Sequence, residues 1–101
     1  MSDNQSMEQD RQSAGREKLM RRILSKGNLR RAVEGLVNWW DKRDIHSIES
    51  ITRSLNYYAM MHPSEFIPRG LYRSEVLPFS QSEVRRIIEA CGKSDIFRPA
   101  D

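Results

Sequence analysis

From Leu29 onward the apolar residues recur every three or four positions, and that spacing constrains the chain more than any other feature. Leu29, Val33, Leu36, Val37 and Trp40 hold it over three turns. After a short polar stretch, Ile45, Ile48, Ile51, Leu55 and Tyr58 take it up again. A stripe of this kind buries one face of a helix and leaves the other to water. The two segments therefore predict a helix over 29–40 and another from about residue 45 to Met61. Asp44 is the expected N-cap of the second. The connection Asp41-Lys42-Arg43-Asp44 is short enough to predict antiparallel packing of the pair.

The flanking sequence predicts two further helices. Leu19, Met20, Ile23 and Leu24 form a stripe within 16–26, ended by Gly27-Asn28, with Asn28 as the expected cap of the next helix. Ser80-Gln81-Ser82-Glu83 matches a capping box, with Phe79 and Val84 placed for a hydrophobic staple. Val84, Ile87, Ile88 and Cys91 then form a stripe that Gly92 closes. Between these regions, His62-Pro63 ends the third helix, since a residue before proline is pushed out of helical conformation. Pro63 to Phe79 holds three of the four prolines and Gly70, and reads as a crossover loop anchored by Phe66, Ile67, Leu71, Tyr72, Val76 and Leu77. A short strand over 70–77 would have no evident partner. The expected fold is all-α: a small four-helix domain over 16–98, with a Pro-containing crossover loop before the last helix. Residues 1–15, rich in Ser, Asn, Gln and Asp, are expected to form a flexible polar tail.

At 101 residues the chain has room for one modest core. No stretch approaches the roughly 20 apolar residues of a membrane span, and Met1 to Gly15 lacks the apolar run of a secretory signal. The single cysteine, Cys91, fits a reducing compartment and reads as a small buried hydrophobe. The expected location is cytoplasmic. One Cys and two His, His46 and His62, give no metal-ligand spacing, and the five scattered glycines give no phosphate-binding loop. No catalytic site, metal, cofactor or small-molecule substrate is expected.

One local string resembles a known family. Ile67-Pro68-Arg69-Gly70-Leu71-Tyr72-Arg73-Ser74 is similar to the arginine-bearing strand of ADP-ribosyltransferases, a likeness that implies a cofactor-holding role for Arg73. Neither a Ser-Thr-Ser segment nor a Glu-x-Glu turn accompanies it, and the chain is too short for that fold. A helix-turn-helix reading fails too, because the segment after Gly92 is too short for a recognition helix and contains Pro99.

Two features point to partners. First, positive charge is concentrated: residues 16–43 carry nine bases and three acids, while 44–101 carry seven bases and eight acids. Lys18, Arg21, Arg22 and Lys26 lie opposite the first stripe, and Arg30 and Arg31 extend the run. Such a segment suits an acidic protein surface or nucleic acid, or is an ordinary solvated face. Second, Trp39 and Tyr57 each precede a stripe residue, about 100° around the helix, and Met61 falls on the side of Tyr57. Either the Pro63–Phe79 segment folds back over these rings, or they form a surface for a partner or a second copy. Trp, Tyr and Met off the core are residue types enriched at interfaces. The sequence reading favours a non-catalytic protein-interaction module, a small regulator, adaptor or inhibitor of a larger protein. It would bind through Trp39, Tyr57, Met61 and Arg43 with a basic rim. The alternative is a nucleic-acid-binding accessory protein using the basic segment.

Overall fold

The computed structural model describes residues 15–97. Apart from Gly15, the expected N-terminal tail lies outside the described residues. The helices are α1 (residues 15–24), α2 (Leu29–Lys42), α3 (Ile48–Met61), α4 (Pro63–Phe66), α5 (Arg73–Val76) and α6 (Gln81–Ala90), followed by a 3₁₀ turn, Ser94–Ile96. The fold is all-α, with no strand among the described residues. Its four long helices are those the stripes predict. α4 and α5 are additional single turns inside the expected loop.

The stripes form the core. Met20 and Ile23 are buried from α1, Leu29, Val33, Leu36, Val37 and Trp40 from α2, Ile51 and Leu55 from α3, and Val84, Ile87 and Ile88 from α6. Ile45, Ile48 and Tyr58 are partly buried against them. Trp40 is fully enclosed, and its indole Nε1 donates to Ser54 Oγ at 2.7 Å. That bond joins α2 to α3. The nearest helical neighbours of α3 are nonetheless α6 and α4. The expected α2–α3 contact is therefore made through side chains, with a groove left between the two helices.

Asp44 does not cap α3. It closes α2, adopting φ +56°, a left-handed conformation that Asp tolerates better than most residues. Its N–H donates to the Asp41 carbonyl, and the Ile45 N–H reaches back to the Trp40 carbonyl. These two bonds make a Schellman motif. The cap of α3 is Ser47, whose hydroxyl accepts from the Ser50 N–H. Asn28 likewise makes no side-chain cap to α2; its amide reaches instead toward the Ser64 carbonyl, 3.5 Å away.

The crossover segment is anchored as expected by Phe66, Ile67 and Val76, which are buried, and by half-buried Leu71 and Leu77. Tyr72 is the exception and stands 77% exposed. Pro63 occupies the first turn of α4, where its missing N–H costs nothing. The ADP-ribosyltransferase-like string forms no strand. Arg73 opens α5, and its guanidinium donates to the Met60 carbonyl at 2.9 Å. The far end of the segment is fastened by Asn56, whose side chain donates to the Phe79 carbonyl (2.9 Å) and accepts from the Phe79 N–H (2.7 Å).

The capping box of α6 is present. Ser80 Oγ accepts from the Glu83 N–H, and Glu83 Oε1 accepts from the Ser80 N–H at 3.0 Å. Gly92, at φ +71°, ends the helix in a second Schellman motif, with its N–H on the Glu89 carbonyl and that of Lys93 on the Ile88 carbonyl. Two paired Arg–Glu bridges of opposite polarity hold α1 on α6. Arg16 donates to both Glu83 oxygens (2.9 and 2.7 Å) and to the Val76 carbonyl, and Arg86 donates to both Glu17 oxygens (2.7 and 2.8 Å). Beyond α6, Ile96 is buried and Phe97 is half-buried beneath the Arg85 guanidinium. His46 ties this end to the α2–α3 turn: its Nδ1 lies 2.9 Å from the Ile96 carbonyl. A carbonyl only accepts, so Nδ1 is the donor in this contact.

Candidate protein-binding surface

The residues that break the helical stripes are the ones the fold leaves uncovered. Trp39 is 46% exposed and Tyr57 64%, while their neighbours Trp40 and Tyr58 turn inward. The Pro63–Phe79 segment does not close over them. It runs beside Tyr57 without covering it: Asn56 fastens it at Phe79, and Pro78 borders the same hollow as Tyr57. Met61 is exposed on the Tyr57 side of α3, as its spacing predicts, and Arg43 is exposed at the end of α2. The Arg43 guanidinium carbon sits 4.9 Å from the Trp39 ring centroid, a cation–π distance.

The interval between α2 and α3 is a groove of about 410 Å³ lined by Gly35, Leu36, Trp39, Ser54, Tyr57 and Tyr58. The two aromatic residues singled out by the sequence therefore wall the same groove from opposite helices. Gly35 leaves its α2 side low: a Cβ added there would meet nothing within 4 Å. A glycine in mid-helix costs roughly 0.5–1 kcal/mol relative to alanine, and no contact within the chain requires this one.

Two further hollows adjoin the groove. Tyr57 also lines the second, with Arg53, Asn56, Met60 and Pro78 around it. Asn56, Met60 and Pro78 line the third as well, beside Tyr72 and Leu77. Trp39, Tyr57, Met60 and Tyr72 thus follow one another across the outer side of α3, with Met61 at its C-terminal end. The sequence reading missed Met60 and Tyr72. Met60 lies three residues beyond Tyr57, the spacing of helix neighbours, so the periodicity that points to Met61 points to it as well. Tyr72 sits in a segment with no period to show which way it points.

Electrostatics around the groove are simple. The Tyr58 phenol is pushed above its ordinary value by burial and by the Glu65 carboxylate beside it, so it stays protonated at neutral pH. The Tyr58 ring packs on His62 and edge-on against Phe66, which fixes that wall. Burial likewise raises the Cys91 thiol, against the smaller opposing effect of Arg30. A buried protonated thiol is a poor nucleophile.

The basic residues are spread over the surface. Lys18, Arg21 and Arg22 are exposed together on the outer face of α1, Arg30 and Arg31 are exposed on α2, and Lys26 is half-buried in the turn between. Arg21 lies 3.4 Å from Glu17, and Arg22 donates to the Arg69 carbonyl at 3.3 Å. Arg30 is on the Cys91 side of α2. Lys18, Arg21 and Arg22 thus share one exposed helix face.

Among the described residues, no cluster of three or more His, Cys, Asp or Glu side chains could hold a metal ion, and no helix is long and apolar enough to cross a membrane. No protein-family model, curated protein or solved structure matches the chain.

Proposed function

We propose that this protein is a non-catalytic interaction module, a small regulator or adaptor that binds a larger protein through the α2–α3 groove and the outer side of α3. One observation carries the reading: the core closes without Trp39, Tyr57, Met60, Met61 and Tyr72, which remain exposed along connected hollows. Single exposed apolar residues need no explanation, but a connected set of aromatic and methionine side chains is the composition of an interface core. Arg43, stacked on Trp39, supplies an anchor of the type enriched at hot spots.

The test replaces Trp39 and Tyr57 together by Ser. The variant folds with an unchanged helical spectrum and loses the complex that the parent chain captures from cell extract. If the variant unfolds, the two residues belong to the core and the reading fails. A nuclease arm addresses the second reading, an accessory protein for nucleic acid. That reading is favoured by the shared exposure of Lys18, Arg21 and Arg22 on α1. It predicts retention of DNA or RNA that falls steeply with salt, since neutralised phosphates release counterions. Flat or absent retention removes it. Self-association through the same face would appear as a dimer mass on size exclusion.

A further inference from the structure

We infer that the occupant of the α2–α3 groove is an amphipathic helix of a partner protein, apolar on the face it inserts and acidic along its flanks. This inference rests on the proposed interaction function and names the chemistry of the partner.

Shape comes first. Both groove-forming helices are 14 residues long, about 21 Å at 1.5 Å per residue, so a partner helix of three to four turns matches their length. Trp39 and Tyr57 stand as walls. Between them the open Gly35 lets a backbone approach α2 more closely than any side chain would allow. Helix-in-groove recognition has these parts: an apolar trough for residues spaced i, i+3, i+4 and i+7, and polar edges.

Charge then selects the occupant. Arg31 lies one turn before Gly35, Lys42 and Arg43 lie three and four residues after Trp39, and Arg53 lies one turn before Tyr57 on the facing helix. All four are exposed. The acids of α2 lie elsewhere: Glu34 is on the Cys91 side, and Asp41 shares that flank at helical spacing. Glu65 is half-buried against the Tyr58 phenol, and exposed Glu49 lines the adjoining hollow with Arg53 rather than the groove itself. The groove thus has apolar walls and a cationic rim, complementary to a helix with acidic flanks. A second copy of this chain is disfavoured, because a symmetric pairing would bring each cationic rim against the other.

The probes are two synthetic 18-residue helical peptides with leucines at i, i+3, i+4 and i+7, one flanked by glutamates and one by lysines. Each is titrated into the full chain and followed by fluorescence anisotropy and by the amide and indole N–H resonances of the ¹⁵N-labelled protein. The glutamate peptide binds at least about tenfold more tightly than the lysine peptide, a difference of about 1.4 kcal/mol, and shifts the Trp39 indole far more than that of buried Trp40. The triple variant R31E/K42E/R43E changes only exposed side chains, and it reverses the order of the two peptides. Gly35→Leu keeps the helical spectrum and weakens the glutamate peptide at least about tenfold.

Equal binding of the two peptides, shifts centred away from Trp39, or an unchanged order in the triple variant overturns the inference. So does oligothymidylate displacing the glutamate peptide from Trp39, or a dimer in sedimentation that W39S dissolves. If the W39S/Y57S variant loses its captured protein while the triple variant keeps it, the interaction function stands and the acidic helix is refuted. If neither variant loses it, both fall.

Discussion

The two sides of this domain use their side chains in opposite ways. Where α1 meets α6, the polar groups are satisfied within the chain: Arg16 and Glu83 pair through two hydrogen bonds, Glu17 and Arg86 do the same, and Ser80 and Glu83 exchange capping bonds. Around α3 the apolar groups are left over, with Trp39, Tyr57, Met60, Met61 and Tyr72 exposed after the core is complete. The first side explains how a short chain fixes its helices. The second has no role in that task, and a surface that folding does not need is where binding is to be sought. Substitutions on the two sides should therefore separate stability from association.

The largest effect contrasts neighbours in sequence. Trp40 is fully enclosed and bonded to Ser54, so Trp40→Ala leaves a large cavity and an unpaired hydroxyl, at a cost of about 3–5 kcal/mol. That is a large share of the roughly 5–15 kcal/mol available to a small domain. Trp39→Ala, at an exposed position, stays within about 0.5 kcal/mol of the parent while weakening the partner complex. Urea titrations of both variants check the pair, and comparable losses would erase the distinction between the two sides. Asn56→Ala follows in size. It strips both partners from the Phe79 backbone and costs about 2 kcal/mol, loosening the crossover segment beside Met60 and Tyr72.

A smaller effect breaks the polar side. Burial of Glu83 opposes its ionisation, but the Arg16 guanidinium and the Ser80 N–H outweigh it and hold the carboxyl below its ordinary value of 4.5. The sign follows from linkage: a folded pKa below the unfolded one contributes stability that is complete above about pH 4.5 and is lost as pH falls through the folded value. Glu83→Gln removes that contribution at neutral pH, about 1 kcal/mol for a pair that water still reaches, and flattens the acid limb of a stability–pH curve. The partner complex at neutral pH is unchanged, because the clamp does not touch the groove.

The same contrast separates what local spacing in the sequence reveals from what it does not. The stripes of α2, α3 and α6 and the Ser80–Glu83 box were legible because each is local and repeats within one helix. Trp39 and Tyr57 were legible by breaking those repeats. Asp44 was misplaced because two potential caps, Asp44 and Ser47, flank Ile45, which extends the stripe beyond the helix. Only the left-handed backbone at Asp44 decides between them. α4 and α5 escaped because a single turn of four residues shows no period. The Arg16–Glu83 and Glu17–Arg86 pairs escaped because 67 and 69 residues separate the partners, and local spacing says nothing about such distances.

The smallest effect in size has the opposite sign, which makes it the sharpest separation of stability from association. Gly35 lies within α2, φ there is helical, and a Cβ would meet nothing within 4 Å. Gly35→Ala therefore removes backbone freedom from the unfolded chain without adding a clash, and it should stabilise the domain by about 0.5–1 kcal/mol. If the glycine admits a partner's backbone, the same methyl group stands where that backbone must pass, and affinity falls while the melting temperature rises. A purely structural glycine would give the reverse, lower stability with binding affected only through unfolding. Thermal denaturation and a binding titration on the same sample discriminate between these outcomes, because no general weakening of the fold can lower affinity in a protein that has become more stable.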